Sequence, residues 1–182
     1  MNFVKELAFY AAFHQEKRNI WIHVIGVPAI TFTLFLVLSR FHLFNIGNFP
    51  VSASIAFVTV VSLYYFSLDF IFAFSATLLF GGLVFLAEYV TSTLPATTAW
   101  SIFAIGQIVG WGTQFYGHYA FEKRKPAILD NLFQALVSSP LFVVADIYFE
   151  LGLRTKLKLE IENELKARGT WRDFSKPSQQ VS

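Results

Sequence analysis

The chain alternates long apolar runs with short polar interruptions. A transmembrane helix needs about 20 mostly apolar residues, and four runs approach or reach that length: residues 20–38, 51–66, 70–89 and 99–116. We expect each of them to be a transmembrane helix. Pro28 falls inside the first run and should bend that helix without ending it, and Asn19 is predicted as its N-cap.

Three flanking segments are predicted as helices of other kinds. Residues 3–15 carry apolar side chains at helical spacing and are expected to lie at the membrane interface. Residues 127–151 are only partly apolar and are interrupted by Pro140, which favours an interfacial or re-entrant hairpin. From Leu153 onwards the apolar positions follow a period of 3.6, which predicts a soluble amphipathic helix.

The remaining interruptions are predicted as connections. Turn-forming residues in 40–50 and 91–98 indicate loops. The whole pattern predicts an all-α fold, a polytopic membrane helix bundle of about four transmembrane helices with interfacial, re-entrant and amphipathic helices around it. We expect residues 1–168 to form one membrane-embedded domain and residues 169–182 to be a mobile tail.

Composition supports a membrane environment. Of 182 residues, 55% are hydrophobic and 14% are charged, and the mean hydropathy is +0.53, which is more apolar than is usual for a soluble domain. The net charge of +2 is small, and its basic residues cluster at the chain ends, which suits membrane lipid better than nucleic acid. There is no cysteine, so a transition metal would need imidazole and carboxylate ligands.

Topology decides which of the four histidines can meet. Lysines and arginines concentrate at the N-terminus, at residues 123–125 and in the C-terminal segment. Four spans with both termini cytoplasmic place all three clusters on the cytoplasmic side, as the positive-inside rule requires. His14, His23 and His118 then lie at the cytoplasmic face, whereas His42 lies across the membrane.

The three cytoplasmic histidines outline a metal site. On one straight helix His14 and His23 would be about 180° apart in azimuth and roughly 13 Å apart in rise, so they can share an ion only if the helix breaks near residues 16–19. Such ligands suit Fe(II), Zn or Mn, and ligand type does not choose between them. Alternatively, the histidines are interfacial residues that contact lipid headgroups or water.

Acidic residues near His118 leave further alternatives open. Glu122 follows His118 by one helical turn, so it is either a ligand, an acid that supports a ligand, or a helix-end charge facing headgroups. Asp130 is either a carboxylate ligand or an ordinary helix cap. Asn19 fits a cap better than a ligand.

The fourth apolar run has two distinct faces. A stripe of small residues, which lets another backbone approach closely, serves either intramolecular packing or dimerisation; it comprises Gly106, Gly110, Thr113 and Gly117. A polar stripe beside it is expected to face the bundle interior or a wet cavity; it comprises Gln107, Trp111, Gln114, His118 and Glu122.

Two blocks of residues resemble those of a known family, the small membrane iron-dependent 2-hydroxy fatty acid dioxygenases of fatty acid α-oxidation. These enzymes act in phytosphingosine breakdown at the endoplasmic reticulum. The first block is Phe9, Tyr10, His14, Asn19, Ile22, His23, Val27 and Pro28. The second block is Gln114, Phe115, Gly117, His118, Phe121 to Arg124, Pro126, Ala127, Asp130 to Leu132, Gln134 to Leu136, Pro140 and Phe142.

The resemblance implies an enzyme that uses Fe(II) and O₂ to convert a long-chain 2-hydroxy fatty acid to the acid one carbon shorter, with CO₂. It implies a multi-pass protein of the endoplasmic reticulum membrane, or of the inner membrane in a bacterium. It specifies no oligomeric state.

The resemblance also implies roles for individual residues. His14, His23 and His118 would hold iron, with Glu122 and Asp130 as a further ligand or supporting acids. Lys123 and Arg124 would steer the substrate carboxylate. Four polar residues would support the ligands from behind: Asn19, Gln114, Asn131 and Gln134.

A different class of function fits some of the same features. A membrane scaffold or lipid-binding protein without chemistry would also have apolar spans and basic ends. It would not require a polar stripe that leads to His118. A transporter is disfavoured because the four spans have no internal repeat and no charged residue at mid-depth.

Overall fold

The computed structural model describes residues 3–126, 128 and 131–174, with the side chains of residues 134 and 135 excepted. These residues form a mostly helical bundle with one small hairpin. In chain order the elements are α1 (Phe3–Ala11), α2 (Lys17–Leu38), β1 (His42–Ile46), β2 (Phe49–Ser52), α3 (Ala53–Phe66), α4 (Phe70–Thr93), α5 (Ala96–Gly117), π1 (His118–Glu122), π2 (Gln134–Ser138), α6 (Ser139–Glu150) and α7 (Thr155–Ala167). The predicted all-α membrane bundle is confirmed, with the hairpin as an addition.

Two of the described helices are long and apolar enough to cross a bilayer, α2 and α4. A third span results if residues 136–150 and 155–167 are counted together, although the two helices meet at 113°. This bend lies after the segment of residues 127–151, whose re-entrant or interfacial character stays a prediction. The apolar helix α3 has 14 residues, or about 21 Å, which is short of the roughly 30 Å hydrocarbon core. Four spans therefore stay a prediction.

The helix pair α2 and α5 packs closely along the predicted stripe of small residues. A Cβ added at Gly106 would lie 2.5 Å from Cγ2 of Thr33, and one added at Gly110 would overlap Ile30. Beside these contacts, Gln107 Nε2 donates to the Ile30 carbonyl (3.0 Å) and to Thr33 Oγ1 (2.9 Å). The small residues therefore serve packing within the chain, one of the two alternatives left open by the sequence.

Helix α6 lies at the centre of the described bundle. Its first eight residues, Ser139 to Asp146, are all buried, and it packs against α1, α2 and α4. Large buried side chains from these helices form the core with it, among them Leu7, Phe35, Phe72 and Phe142.

The N-cap prediction for α2 is wrong. The helix begins at Lys17, because the side chain of Glu16 accepts hydrogen bonds from the backbone N–H of Arg18 (2.7 Å) and Asn19 (3.2 Å). A carboxylate does this at least as well as an amide. Asn19 is consequently inside the helix and fully buried. As predicted, α2 continues through Pro28.

The two predicted loops are shorter than expected. Within residues 40–50 the chain forms the antiparallel pair β1 and β2, which turns at Gly47, where φ is +59°. Strands were not expected in a segment so rich in turn formers. Within residues 91–98, α4 extends to Thr93 and α5 begins at Ala96, so only two residues connect them.

The C-terminal helix α7 is amphipathic, as predicted. It packs against α1 and buries Ile161 and Leu165. Beyond it, the carbonyl of Thr170 accepts from Gln15 Nε2 at 2.9 Å, so the start of the predicted tail contacts the N-terminal turn. The division into a domain of residues 1–168 and a mobile tail stays a prediction.

The α2–α5 contact gives a stability prediction. We expect Gly110→Ala to lower the free energy of unfolding by about 1–3 kcal/mol, because the added methyl group overlaps Ile30 and forces the helices apart. The matched control is Gly112→Ala on the same helix, where an added Cβ meets nothing within 4 Å. That change should stabilise α5 by up to about 1 kcal/mol. Thermal unfolding in one detergent measures both, and equal effects would contradict the packing.

Candidate metal centre

Three histidine side chains from distant parts of the chain meet at one end of the bundle. His14 lies in the turn after α1, His23 lies in α2, and His118 is the first residue of π1. Their ring centroids are 4.4 Å (His14–His23), 4.8 Å (His14–His118) and 4.9 Å (His23–His118) apart. One nitrogen of each ring lies within 4.8 Å of the others, and all three residues are buried.

The predicted break between α1 and α2 makes this meeting possible. Helix α1 ends at Ala11 and α2 starts at Lys17, so His14 and His23 belong to different helices and approach each other across the turn. His42 lies on β1, beyond the other end of α2, where its Nε2 pairs with Asn45 Oδ1 at 2.9 Å. Thus the three histidines predicted to share a face do meet, and the fourth is elsewhere.

Hydrogen bonds fix two of the rings. Nδ1 of His14 donates to the Tyr10 carbonyl (2.9 Å), and Nδ1 of His23 donates to the Asn19 carbonyl (3.0 Å). In both rings Nε2 therefore carries the free lone pair, which is the usual arrangement in metal-binding histidines. Nε2 of His14 and Nδ1 of His118 are buried without a hydrogen-bond partner. Buried polar atoms are rarely left unpaired, so the residues fit a metal ion.

The electrostatics also favour ligation. Burial, and then the neighbouring imidazoles of His23 and His118, lower the pKa of His14 well below its ordinary value. Burial lowers the pKa of His118 to about 4. Both rings are therefore neutral at pH 7, and a neutral imidazole is the form that binds metal.

Glu122 holds the turn that carries His14. Its carboxylate is fully buried, and Oε1 accepts from the backbone N–H groups of Gln15 and Glu16, both at 2.7 Å, and from Asn19 Nδ2 at 3.4 Å. Burial raises the pKa of Glu122, and these hydrogen bonds together with the nearby Arg172 oppose the rise. The histidine cluster does not include its carboxylate, so the geometry fits the predicted supporting acid better than a ligand.

Arg172, in the segment after α7, contacts both Glu122 and the turn that carries His14. Its Nη1 donates to the Glu122 backbone carbonyl and lies 3.8 Å from Oε2 of the same residue. Its backbone N–H donates to Gln15 Oε1 at 2.7 Å. The N-terminal turn, the end of π1 and the segment after α7 thus share one polar network.

A cavity of about 430 Å³ opens beside the histidines. All three histidines and Tyr10 line one end of it, and the walls continue along α2 past Val27 to Leu34 and along α5 from Gln114 back to Gln107. Most of the wall is apolar. Cavities of this size and character commonly take small ligands.

The structure places the other predicted site residues as follows. Gln114 lines the cavity, donates through Nε2 to the Ile22 carbonyl at 3.2 Å, and leaves Oε1 buried without a partner. Lys123 and Arg124 are not among the cavity-lining residues; Arg124 Nη1 donates instead to the Ala12 carbonyl at 2.8 Å. Their role with a substrate carboxylate stays a prediction.

Asp130, Asn131 and Gln134 complete the predicted set. Asp130 and the side chain of Gln134 lie outside the described residues. Asn131 lies between π1 and π2, and its supporting role stays a prediction.

Sequence reasoning assigned no role in the site to Tyr10, which belongs to the first block of the resemblance, or to Asp146. The ring of Tyr10 stacks on that of His14, with centroids 3.9 Å apart, and its hydroxyl donates to Asp146 Oδ2 at 3.0 Å. A single acidic residue inside the apolar stretch of residues 139–149 was the available signal, because a carboxyl group in apolar surroundings needs a partner.

Comparison with known proteins connects this geometry to a family. The family model described as "2-hydroxy-palmitic acid dioxygenase Mpo1-like" matches residues 1–151. The chain is also 32% identical over 163 residues to "2-hydroxy-palmitic acid dioxygenase MPO1" of Saccharomyces cerevisiae, covering 90% of this chain and 89% of the relative. The chain belongs to the Mpo1-like family. No solved structure matches it.

Membership confirms the resemblance found in the sequence. All three clustered histidines fall within the matched residues of this Mpo1-like chain, and so do Tyr10, Glu122 and Asp146. Arg172 lies beyond them. The printed name of the yeast relative identifies that protein as a dioxygenase, which supports an oxidoreductase assignment for the family.

The histidine cluster gives a metal-binding prediction. We expect the purified chain to bind about one divalent ion through His14, His23 and His118, and His118→Ala to weaken binding by at least ~100-fold, because one ligand is lost. His42→Ala is the matched control and should bind like the unchanged chain. Elemental analysis after anaerobic loading with Fe(II) measures the content. Equal metal content in both variants would contradict the site.

Glu122 gives a separate prediction about the turn. Glu122→Ala leaves the partly buried N–H groups of Gln15 and Glu16 unpaired and should cost about 2–4 kcal/mol of unfolding free energy. Glu122→Gln keeps an oxygen acceptor and should cost less than half as much. Denaturant unfolding measures both, with Glu164→Ala as control, since that residue only pairs with Arg168 on the surface. Equal losses for Ala and Gln at position 122 would argue against these hydrogen bonds.

Proposed function

We propose that this Mpo1-like chain is an Fe(II)-dependent dioxygenase that converts a long-chain 2-hydroxy fatty acid and O₂ to the fatty acid one carbon shorter, CO₂ and water. The reaction balances without a further reductant. The bond between C1 and C2 breaks, C1 leaves as CO₂, and C2 becomes the new carboxyl carbon. Oxidation of these two carbons supplies the four electrons that reduce O₂.

The main support for this function is the position of the three histidines. Three buried histidines, two of them with Nδ1 tied to a backbone carbonyl, converge at the end of an apolar cavity in a chain of this family. A protein that only binds lipid needs no such cluster. Burying three imidazoles without a ligand costs the hydrogen bonds that water would supply.

The polar end of the substrate belongs beside the histidines. Fe(II) bound there would supply a positive centre for the carboxylate and hydroxyl oxygens of a 2-hydroxy acid and a position for O₂. Neutral imidazoles leave the charge of the ion uncompensated. A free carboxylate is therefore the substrate group that suits the cavity, whose described lining contains no lysine or arginine.

The acyl chain would follow the apolar part of the cavity. From His23 to Leu34 the wall rises along α2 by 11 residues, or about 16 Å. Val27, Ile30 and Phe57 line this stretch and would exclude water from the tail. Gln107 and Trp111 pair with each other (3.1 Å) on the facing helix, so their polar atoms are satisfied within an apolar wall.

The setting of the reaction is part of the proposal. We assign the chain to a cellular membrane, that of the endoplasmic reticulum, with both termini cytoplasmic, and to the breakdown of phytosphingosine-derived 2-hydroxy acids. The basic residues near the histidine end support this orientation through the positive-inside rule. Lys123 and Arg124 would attract the fatty acid to the cytoplasmic face.

An activity assay tests the proposed function. The detergent-purified chain, loaded anaerobically with Fe(II) and then exposed to ¹⁸O₂ and 2-hydroxypalmitate, should release pentadecanoic acid that contains one ¹⁸O. His118→Ala should reduce the rate by at least ~100-fold, because the ion is no longer held, whereas His42→Ala should leave it unchanged. Mass spectrometry of the extracted acids measures both. A chain that retains iron and returns 2-hydroxypalmitate unchanged would contradict the assignment and favour a lipid-binding protein.

A further inference from the structure

Two buried polar residues beside the metal centre have no part in the proposed reaction. Tyr10 is 2% exposed and Asp146 is 8% exposed, and the Tyr10 hydroxyl donates to Asp146 Oδ2 at 3.0 Å. Around Asp146 on α6, the residues Val143, Val144 and Ala145 are all buried and apolar. Desolvating a carboxyl group is expensive even when it is paired, and an apolar pair of similar volume would pack there at lower cost.

Tyr10 controls the position of His14 through two contacts. Its carbonyl accepts from His14 Nδ1 at 2.9 Å, which directs Nε2 away from the backbone. Its ring stacks on the imidazole with a centroid distance of 3.9 Å and an interplanar angle of 14°. His14 lies beyond the end of α1, which stops at Ala11, so regular helix geometry does not hold it.

Asp146 in turn controls the position of Tyr10. A hydrogen bond at the far end of a phenol ring restricts the swing of the side chain about χ1, whereas packing against the ring faces restricts rotation about χ2. The Tyr10 hydroxyl is held by Asp146, and one side of the ring packs on Phe142 at a centroid distance of 5.0 Å. Both partners belong to α6, the buried central helix, which also places Ser139 and Pro140 in the cavity wall.

We propose that Tyr10 and Asp146 form a positioning pair that transmits the rigidity of α6 to His14 and thereby sets the metal affinity of the centre. The inference rests on the proposed metal site and adds two residues to it. Neither residue needs to touch the ion or the substrate. The hydrogen bond to Asp146 holds the Tyr10 side chain, and the stacked Tyr10 ring holds the plane of the His14 imidazole. Nε2 of His14 therefore already has its binding orientation, and metal binding costs less conformational entropy.

The test measures metal affinity apart from activity. The full chain in detergent is titrated anaerobically with Co(II), whose visible absorption reports coordination geometry, in competition with a chelator. Tyr10→Phe keeps the stacked ring and loses only the hydroxyl. We expect it to weaken binding by ~10-fold, at the lower end of the range for groups that support metal ligands, and to alter the Co(II) absorption band.

Changes at Asp146 make the test specific to the hydrogen bond. Asp146→Ala should weaken Co(II) binding by ~10-fold as well. The double variant Tyr10→Phe with Asp146→Ala should lose no more affinity than the more affected single variant, because both changes remove the same hydrogen bond. Asp146→Asn keeps an acceptor oxygen for the phenol. It should restore the affinity to within ~3-fold of the unchanged chain.

Tyr65→Phe is the matched control. Tyr65 is also a buried phenol, and it donates to a backbone carbonyl, that of Val137, but its ring stacks on none of the three histidines. It should lower the melting temperature without changing the affinity for Co(II). If Tyr10→Phe also lowers only the melting temperature, or if the losses in the double variant simply add, the positioning pair is contradicted. If the unchanged chain binds neither Co(II) nor Fe(II), the metal centre itself is contradicted, and the pair with it.

Discussion

The meeting of the three histidines depends on the contact between the carboxylate of Glu122 and the turn that joins the first two helices. Oε1 of Glu122 accepts the N–H groups of Gln15 and Glu16 at 2.7 Å, across more than 100 residues of chain. A buried carboxylate that accepts several backbone hydrogen bonds is a strong tether. Since His14 lies in this turn and His118 lies one turn before Glu122, the tether brings these two histidines together, and His23 on α2 completes the cluster.

The surroundings of the histidines suit the proposed metal ion. Neutral imidazoles avoid the cost of burying charge, and the low dielectric around them strengthens the attraction between a bound cation and an incoming carboxylate. The nearby carboxylates have other partners than the proposed ion. Glu122 accepts hydrogen bonds from the backbone of the turn, and Asp146 accepts one from Tyr10. The charge at the centre is therefore left to be balanced by the proposed substrate.

Much of this arrangement follows from the sequence and some does not. Apolar run length predicted α2, α4 and α5, and the positive-inside rule grouped the correct three histidines, because both depend on local composition. The cap at Glu16 was mistaken for Asn19, since either side chain can cap a helix and only the tertiary contact of Asn19 with Glu122 decides between them. The hairpin of β1 and β2 was missed although its two-residue turn, Gly47-Asn48, is a local signal. The contacts of Tyr10, Asp146 and Arg172 join residues far apart in the sequence, which periodicity does not contain.

X-ray absorption at the iron edge of the Fe(II)-loaded full chain tests whether His14, His23 and His118 hold one ion together. We expect a first shell of nitrogen and oxygen atoms at about 2.1 Å, with the outer-ring scattering of three imidazoles. Replacing His14, His23 or His118 should reduce that scattering to two imidazoles in whatever iron remains bound. A spectrum without imidazole scattering would show that these histidines do not hold the ion. A spectrum that stays the same in each of the three single variants would show it as well.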